Sequence, residues 1–283
     1  MSRRIRDLAV RLLCLLIGIA SIGAALFLFV FVFWKGRDVM SLSFLLEKPS
    51  GMPIGTDGGI FPALMGSVYL GGLSALIGGV IGIGGAAYLT FYSGGKGIAA
   101  VVDKAVTGLS GIPSILFGLV GYTLLIYHFG IPRSLLCAGV TVAAMIIPFV
   151  AIRAKKIFSE KGLEYMYNSQ SLGLSKEYAL RILIFPACMT ELFGTAALGM
   201  AYGMGAVAPI LYTGAVMQAE VPKKLTDPFM SLPYHLYMLV NNGFSLEYAY
   251  GTAFVLMVFL LCIQLLCKFI SYFREGAQWT FKR

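Results

Sequence analysis

Residues 9–34 read AVRLLCLLIGIASIGAALFLFVFVFW, an apolar stretch that contains one charged residue, Arg11. A helix needs about 20 apolar residues to cross the hydrocarbon core of a bilayer. Every backbone polar group there must find its partner within the protein, so an apolar run this long predicts a spanning α-helix. The apolar region of a secretory signal has only about 7–15 residues. We therefore interpret this stretch as an uncleaved first span.

The remaining composition extends that interpretation to the whole chain. Of its 283 residues, 58% are hydrophobic and 12% are charged, and the mean hydropathy is +0.83. Soluble domains carry about 25% charged residues, which excludes a soluble enzyme. We predict an all-α membrane protein of about six transmembrane helices, approximately at 9–34, 62–92, 105–127, 134–152, 187–216 and 248–273.

The basic residues predict the orientation. A net charge of +9 could indicate nucleic-acid binding, but these residues flank the apolar runs and do not form one stripe, so we predict no nucleic-acid partner. With both termini in the cytoplasm, 16 of the 22 lysines and arginines lie on the inner side. The positive-inside rule favours this arrangement. It predicts a multi-pass protein of the plasma or inner membrane, embedded in the lipid bilayer.

Three connecting segments are longer than a simple turn requires. Residues 35–60 and 217–247 are predicted as outer loops that form a docking surface. The inner segment 153–186 is longer than a connection between helices needs, and we expect a cytoplasmic partner to bind it. Leu163, Met166 and Tyr167 follow the i, i+3, i+4 spacing of one apolar face on a short helix.

The third predicted span contains the run Gly108-Leu109-Ser110-Gly111-Ile112-Pro113-Ser114. Pro113 removes a backbone hydrogen bond, so we expect a kinked or broken helix. Thr107, Ser110 and Ser114 add hydroxyl groups at this depth. Two interpretations stay open: free N–H groups at the break that face an anion, or a simple kink satisfied by neighbouring helices.

Few other residues in the predicted spans indicate a catalytic, metal-binding or transport role. Glu191 is the acid deepest in an apolar run. Two interpretations stay open: it pairs with a structural partner such as Arg181, or it has a direct role in transport. The five cysteines lie in apolar segments without metal-ligand spacing, and the two histidines have no acid–base partner at readable spacing. We predict no catalytic, cofactor or metal site.

Several motifs resemble those of ABC importer permeases. Gly173, Leu183 and Phe185-Pro186 stand at the spacing of their cytoplasmic signature: Glu-Ala-Ala, three residues, Gly, nine residues, then Ile-x-Leu-Pro. In this chain Tyr167-Asn168-Ser169 replaces Glu-Ala-Ala. The runs GIPSILFGL at 111–119, APIL at 208–211 and LPYHLY at 232–237 are similar to the PstA type of phosphate permease. The resemblance covers much of residues 60–240.

The resemblance implies a type I, MetI-like permease fold and a defined set of partners. These are a sister permease in a heterodimer, two copies of a cytoplasmic ATPase subunit that hydrolyses ATP, and an extracytoplasmic phosphate-binding protein. It implies three parts of the chain: an N-terminal helix and outer loop (1–58), a permease domain (59–273) and a tail (274–283). Coupling to the ATPase falls in the loop 153–186, chiefly at 160–176, and the predicted coupling residues are Leu163, Met166, Tyr167, Gly173 and Pro186.

One departure from the family pattern concerns the cargo. The family usually reads Gly-Arg-Ala-x-Gly-Glu-Thr-Ala-Pro where residues 201–209 read AYGMGAVAP, so Tyr202 and Ala206 replace Arg and Glu. A fixed arginine suits a phosphate oxyanion. The predicted pathway residues are Thr107, Ser110, Pro113, Ser114 and Tyr202. The prediction is phosphate import; the alternatives are another oxyanion or small solute, or a secondary transporter that works without ATP.

Overall fold

A computed structural model of the chain describes residues 3–52, 57–93 and 97–280. The α-helices in this part of the chain are α1 Arg3–Gly36, α2 Leu42–Leu46, α3 Phe61–Phe91, α4 Ile98–Leu109, α5 Ser114–Gly121, α6 Leu135–Ile157, α7 Leu163–Ser171, α8 Lys176–Tyr178, α9 Phe185–Met204, α10 Ala208–Thr213, α11 Leu232–Asn241 and α12 Leu246–Thr280. The shorter elements are a 3-10 helix at Arg37–Val39, a hairpin of β1 Pro49–Ser50 with β2 Asp57–Gly58, and π-helical segments at Tyr122–His128, Phe158–Gly162 and Ala179–Ile184.

The described helices confirm an all-α protein with about six spans. Five helical stretches are long and apolar enough to cross a membrane: Arg6–Val39, Phe61–Phe91, Leu135–Ser171, Lys176–Met204 and Leu246–Ile270. The pair Ile98–Leu109 and Ser114–His128 makes a sixth if it is taken as one bent span.

The third predicted span is broken, as its proline and glycines predict. Its two parts meet at an angle of 108°. Pro113 lies immediately before α5 with an extended ψ of 134°, so the α-helical hydrogen bonds cannot continue across it.

Small residues let α3 approach α6 closely. A Cβ atom added to Gly78 would lie 2.6 Å from the Ile146 side chain, and one added to Gly82 would lie 2.9 Å from Val150. Membrane helices associate through close contacts of this kind, because lipid removes the hydrophobic drive between them. Ser74, on the same helix, is fully buried and donates its hydroxyl to the carbonyl of Gly71 at 3.1 Å.

The first and last helices pack against each other at the side of this core. Gly36 lies so close to α12 that an added Cβ atom would be 2.5 Å from the Gly251 nitrogen. The Phe33 and Phe254 rings are 5.0 Å apart. Most large apolar side chains of α1 are exposed, among them Leu16, Phe27 and Val30. This surface suits contact with lipid.

Two predictions about the last third of the chain are wrong. The fifth span does not continue to residue 216: α9 ends at Met204, and α10 is a separate short helix. Gly205 and Pro209 explain the interruption, because glycine weakens a helix and Pro209, near the start of α10, has no N–H to continue the hydrogen bonds of α9. Residues 217–247 are not simply a loop, since α11 lies within them and buries Leu232 and His235.

Candidate functional site

The helix α7 follows α6 and the π-helical segment Phe158–Gly162, and it is anchored by one side of its surface. Met166 is only 5% exposed and packs in a cluster with Phe91, Phe158 and Ile184. Leu163 is half-buried against the same cluster, whereas Tyr167 is 66% exposed. The three residues therefore do not form one free apolar face. Met166 and Leu163 hold the helix, and Tyr167 is available to a partner.

Aromatic contacts join this anchor to the ends of two spans. The ring of Phe158 lies 5.4 Å from that of Phe91 at the end of α3 and 5.6 Å from that of Phe185 at the start of α9. Both contacts are edge-to-face, the arrangement that aromatic quadrupoles favour. The cluster that buries Met166 of α7 therefore also contains the ends of α3 and α9.

Gly173 ends α7 with a Schellman motif. Its φ is +75°, a conformation in which a side chain is strained. The Leu174 N–H donates to the Ser169 carbonyl at 3.1 Å, and the Gly173 N–H donates to the Gln170 carbonyl at 3.0 Å. These two bonds satisfy carbonyl groups that a helix end otherwise leaves free. The geometry explains why a glycine is suited to this position of the signature.

Pro186 lies at the second position of α9, directly after the π-helical segment Ala179–Ile184. A proline has no N–H to give to the preceding turn, so regular α-helical hydrogen bonding cannot continue through it. The wider π turns accommodate that interruption. Pro186 thus lies where the π-helical turns give way to the regular helix α9.

An exposed apolar surface surrounds α7. We call Tyr165, Tyr167, Leu172 and Tyr178 the α7 surface; each is more than one-third exposed, and Leu172 reaches 78%. Aromatic side chains are enriched at protein interfaces, so this exposed surface suits contact with a partner protein.

Glu191 has a partner other than the one expected. Lys161, in the π-helical segment before α7, donates from Nζ to Glu191 Oε1 on α9. A structural partner for Glu191 was one of the two interpretations; that partner is Lys161 and not Arg181, which lies in the π-helical segment after α7 with an exposed side chain. A second ion pair, from Lys155 Nζ to Asp103 Oδ1 at 2.6 Å, joins α6 to α4.

A cavity of about 320 Å³ lies where α5 begins and α9 ends. We call it the middle cavity; its lining residues are Ser114, Met145, Ala201, Tyr202, Gly205, Ala206 and Val207. Two predicted pathway residues, Ser114 and Tyr202, therefore come together from distant parts of the sequence. The described lining contains no charged side chain.

The other predicted pathway residues do not line this cavity. Thr107 Oγ1 donates to the Asp103 carbonyl at 2.9 Å, and Ser110 Oγ donates to the Thr107 carbonyl at 2.7 Å. Both hydroxyls thus satisfy their own helix, as serine and threonine often do within membranes. Pro113 shapes the break beside Ser114 without lining the cavity.

Next to the middle cavity, α5 packs closely against α10. A Cβ atom on Gly118 would lie 2.9 Å from the Ala208 carbonyl oxygen and 2.9 Å from Pro209 Cα. Only a glycine lets α5 lie this close to α10 without displacement. This contact connects two of the sequence motifs, GIPSILFGL and APIL.

A larger cavity of about 590 Å³ lies nearer to α7, and we call it the inner cavity. Five charged residues line it. Arg153 and Lys156 belong to α6, Glu160 to the π-helical segment Phe158–Gly162, Glu191 to α9 and Lys268 to α12. Arg153 is not among the residues predicted from the sequence, because a cation at the end of an apolar run resembles an ordinary interfacial anchor. In the described ranges, no three His, Cys, Asp or Glu residues cluster as metal ligands.

Comparisons with known proteins agree with this architecture. No protein-family model matches the chain. It is 28% identical over 221 residues to the phosphate transport system permease protein PstA 2 of Mycobacterium bovis, covering 77% of this chain and 73% of the relative. It is 25% identical over 227 residues to the probable phosphate transport system permease protein PstA of Methanocaldococcus jannaschii, covering 78% and 80%.

Solved structures show the same fold at lower identity. A chain of the MetNI methionine ABC transporter, in inward facing conformations, superposes with a TM-score of 0.61 at 17% identity, covering 74% of this chain and 93% of that one. An amino acid ABC transporter gives a TM-score of 0.57 at 18% identity, covering 74% and 91%.

Fold and relatives agree with the predicted class: the chain is a multi-pass protein of the plasma membrane with the fold of ABC transporter permeases, and its sequence is similar to phosphate transport permeases. Within that class its sequence resembles the phosphate permeases of the PstA type, as the motifs predicted.

Proposed function

We propose that this chain is one of two permease subunits of an ATP-driven importer for inorganic phosphate. The observation that carries the proposal is the joint presence of the middle cavity and the α7 surface in a chain similar to phosphate permeases. A pathway element and a coupling element are the two parts that such a subunit needs. The chain itself carries out no covalent reaction, and ATP hydrolysis takes place on two partner ATPase subunits.

Coupling uses the α7 surface. Tyr167 inserts into a groove on the ATPase, and Met166 and Leu163 transmit the force through the aromatic anchor to α3 and α9. Gly173 and Pro186 set the two ends of this lever. The exposure of Tyr167 and Leu172, against the burial of Met166, supports this division of roles.

Transport uses the middle cavity, whose Ser114 hydroxyl and Tyr202 phenol offer hydrogen bonds to an oxyanion. Thr107, Ser110 and Pro113 form the bent entrance to α5. A transport site must also release its cargo, so weak neutral contacts are sufficient there. The sister permease completes the pathway from the opposite side.

The binding protein docks at the end of the spans opposite α7, which we assign to the outside. There the hairpin β1–β2 is joined to the segment before α11 by an ion pair from Lys48 Nζ to Glu220 Oε1 at 2.5 Å. We place the start of α1 and the end of α12 on the side of α7, in the cytoplasm, as the distribution of basic residues predicts.

Co-purification tests the proposal. The chain is tagged in its native membrane, solubilised gently and analysed for stoichiometric partners by mass spectrometry, with ATP hydrolysis assayed on the eluate. We expect a second permease and an ATPase at two copies per complex. Recovery of the chain alone, without ATP hydrolysis, contradicts the importer and favours a secondary transporter.

A further inference from the structure

The two cavities lie along one face of α6 and α9. On α6, Met145 lines the middle cavity and Arg153 lines the inner cavity, eight residues apart. On α9, Tyr202 lines the middle cavity and Leu198 lines the inner cavity. Residues spaced by four lie on the same side of a helix, and eight residues of helix span about 12 Å. The cavities therefore follow each other towards α7.

Tyr202, Phe149 and Arg153 form a row of contacting side chains that runs from the middle cavity to the inner cavity. The Phe149 ring, between Met145 and Arg153 on α6, lies 5.9 Å from the Tyr202 ring. The Arg153 guanidinium lies 5.5 Å from the centroid of that same Phe149 ring. A cation over an aromatic face is attracted by the ring quadrupole, so the Phe149 ring favours a position of Arg153 on the side of the inner cavity that faces the middle cavity.

The charges around the inner cavity leave Arg153 available. Glu160 pairs with Lys156 at 3.7 Å, and Glu191 pairs with Lys161. Among the described residues, Arg153 forms no salt bridge, and its side chain is exposed. With both acids already paired, the lining charges that form no salt bridge among the described residues are Arg153 and Lys268, and both are positive. Of these two, Arg153 is the one that lies over the Phe149 ring.

We propose that Arg153 is the residue that binds the transported oxyanion in the inner half of the pathway. The inference rests on the proposed function and adds a named cationic contact to it. The planar guanidinium presents two parallel N–H donors that match two oxygens of a phosphate. The middle cavity supplies neutral contacts, and Arg153 supplies the charge that its lining lacks. An anion that leaves Tyr202 meets Arg153 next, before it reaches the cytoplasm.

A phospholipid head group offers the same phosphate chemistry, so the test separates the two sources. The transporter is purified with its partners and treated with phenylglyoxal, which modifies exposed guanidinium groups. Mass spectrometry then measures the adduct at each arginine. Arg11 on α1, which lines neither cavity, is the internal control. The protecting agents are inorganic phosphate, sulfate, molybdate and phosphatidylglycerol.

We expect inorganic phosphate to protect Arg153 and not Arg11. At a phosphate concentration ten times the dissociation constant, mass action predicts about elevenfold slower adduct formation. Protection by phosphatidylglycerol alone, or by none of the four agents, overturns the proposal. Protection by sulfate or molybdate but not by phosphate upholds Arg153 as the oxyanion contact and contradicts phosphate as the cargo.

Uptake measurements on variants complete the test. In proteoliposomes of the whole transporter, Arg153→Gln is expected to lower phosphate uptake at least about tenfold, while Arg153→Lys retains part of it and Arg11→Gln retains all. The thermal unfolding temperature and the ATP hydrolysis rate of Arg153→Gln should match the parent. Equal uptake by Arg153→Gln and the parent overturns the proposal.

Discussion

Lys161, just before α7, donates a hydrogen bond from its ammonium group to the carboxylate of Glu191 on α9. The pair therefore joins the segment that precedes α7 to a span that lines both cavities. Both side chains are partly exposed, at 49% and 32%, so water screens their attraction. We therefore expect this ion pair to fix the position of α7 and to contribute little to the free energy of unfolding.

Charge exchange tests that pair. Because exposed pairs contribute up to about 1 kcal/mol, Glu191→Gln should lower the free energy of unfolding by no more than that. Lys161→Glu combined with Glu191→Lys should recover most of the loss, measured by thermal unfolding in detergent. Larger destabilisation in the exchanged pair than in Glu191→Gln would mean that other contacts of these residues dominate.

Tyr167 tests the coupling role of the α7 surface. A central aromatic residue of an interface typically contributes about 2 kcal/mol or more, so Tyr167→Ala should weaken ATPase binding at least about tenfold. Tyr127→Ala is the matched control, since that tyrosine is 80% exposed and lies in the segment after α5. Retention of ATPase by both variants in co-purification would remove Tyr167 from the contact.

Gly173 tests the end of α7. Nothing lies within 4 Å of an added Cβ atom, so Gly173→Ala is penalised only by its positive φ, by about 1 kcal/mol. Faster amide hydrogen exchange in α7 is the expected result. Gly108→Ala is the control: its surroundings are equally open, its φ is not positive, and alanine favours a helix. Equal exchange in both variants would contradict the role of the Schellman motif.

The buried imidazole of His235 should make the folded protein less stable in acid. It lies in α11, outside the spanning helices, with Nδ1 3.2 Å from Thr252 Oγ1 and Nε2 buried without a hydrogen bond. Burial lowers its pKa from the ordinary 6.5 to about 4. Below pH 6.5 His235 binds a proton in the unfolded chain but stays neutral in the folded chain. The free energy of unfolding therefore falls as the pH drops towards 4. The full loss is about 3 kcal/mol.

Thermal unfolding between pH 7.5 and 4.5 measures this effect. His235→Gln should flatten the decline on the acid side, whereas His128→Gln, which replaces an exposed histidine, should leave it unchanged. An identical decline in the parent and in His235→Gln would assign the acid sensitivity to other groups.

The sequence predicted those features that depend on local composition. Apolar runs determine where helices cross a membrane, and Pro113 and Pro186 determine where helices break or begin, so these features followed from residue types alone. The short helix at Leu163–Ser171 also followed from its spacing. The end of α9 at Met204 was missed because its flanking residues are as apolar as a span.

The remaining features depend on contacts between distant segments. The partner of Glu191 is Lys161, 30 residues away, and no local pattern distinguishes it from Arg181. The passage formed by Tyr202, Phe149 and Arg153 brings two helices together, and the burial of His235 requires α11 to pack on α12. Such relationships become visible only in three dimensions.

Phosphate uptake by the reconstituted transporter tests the central claim most directly. The complex purified through a tag on this chain is placed in proteoliposomes with its binding protein on the outside and ATP inside, and entry of radiolabelled inorganic phosphate is followed. The account predicts accumulation that requires ATP and the binding protein and that Tyr167→Ala abolishes. Accumulation that continues without ATP, or ATP hydrolysis without any phosphate entry, would contradict it.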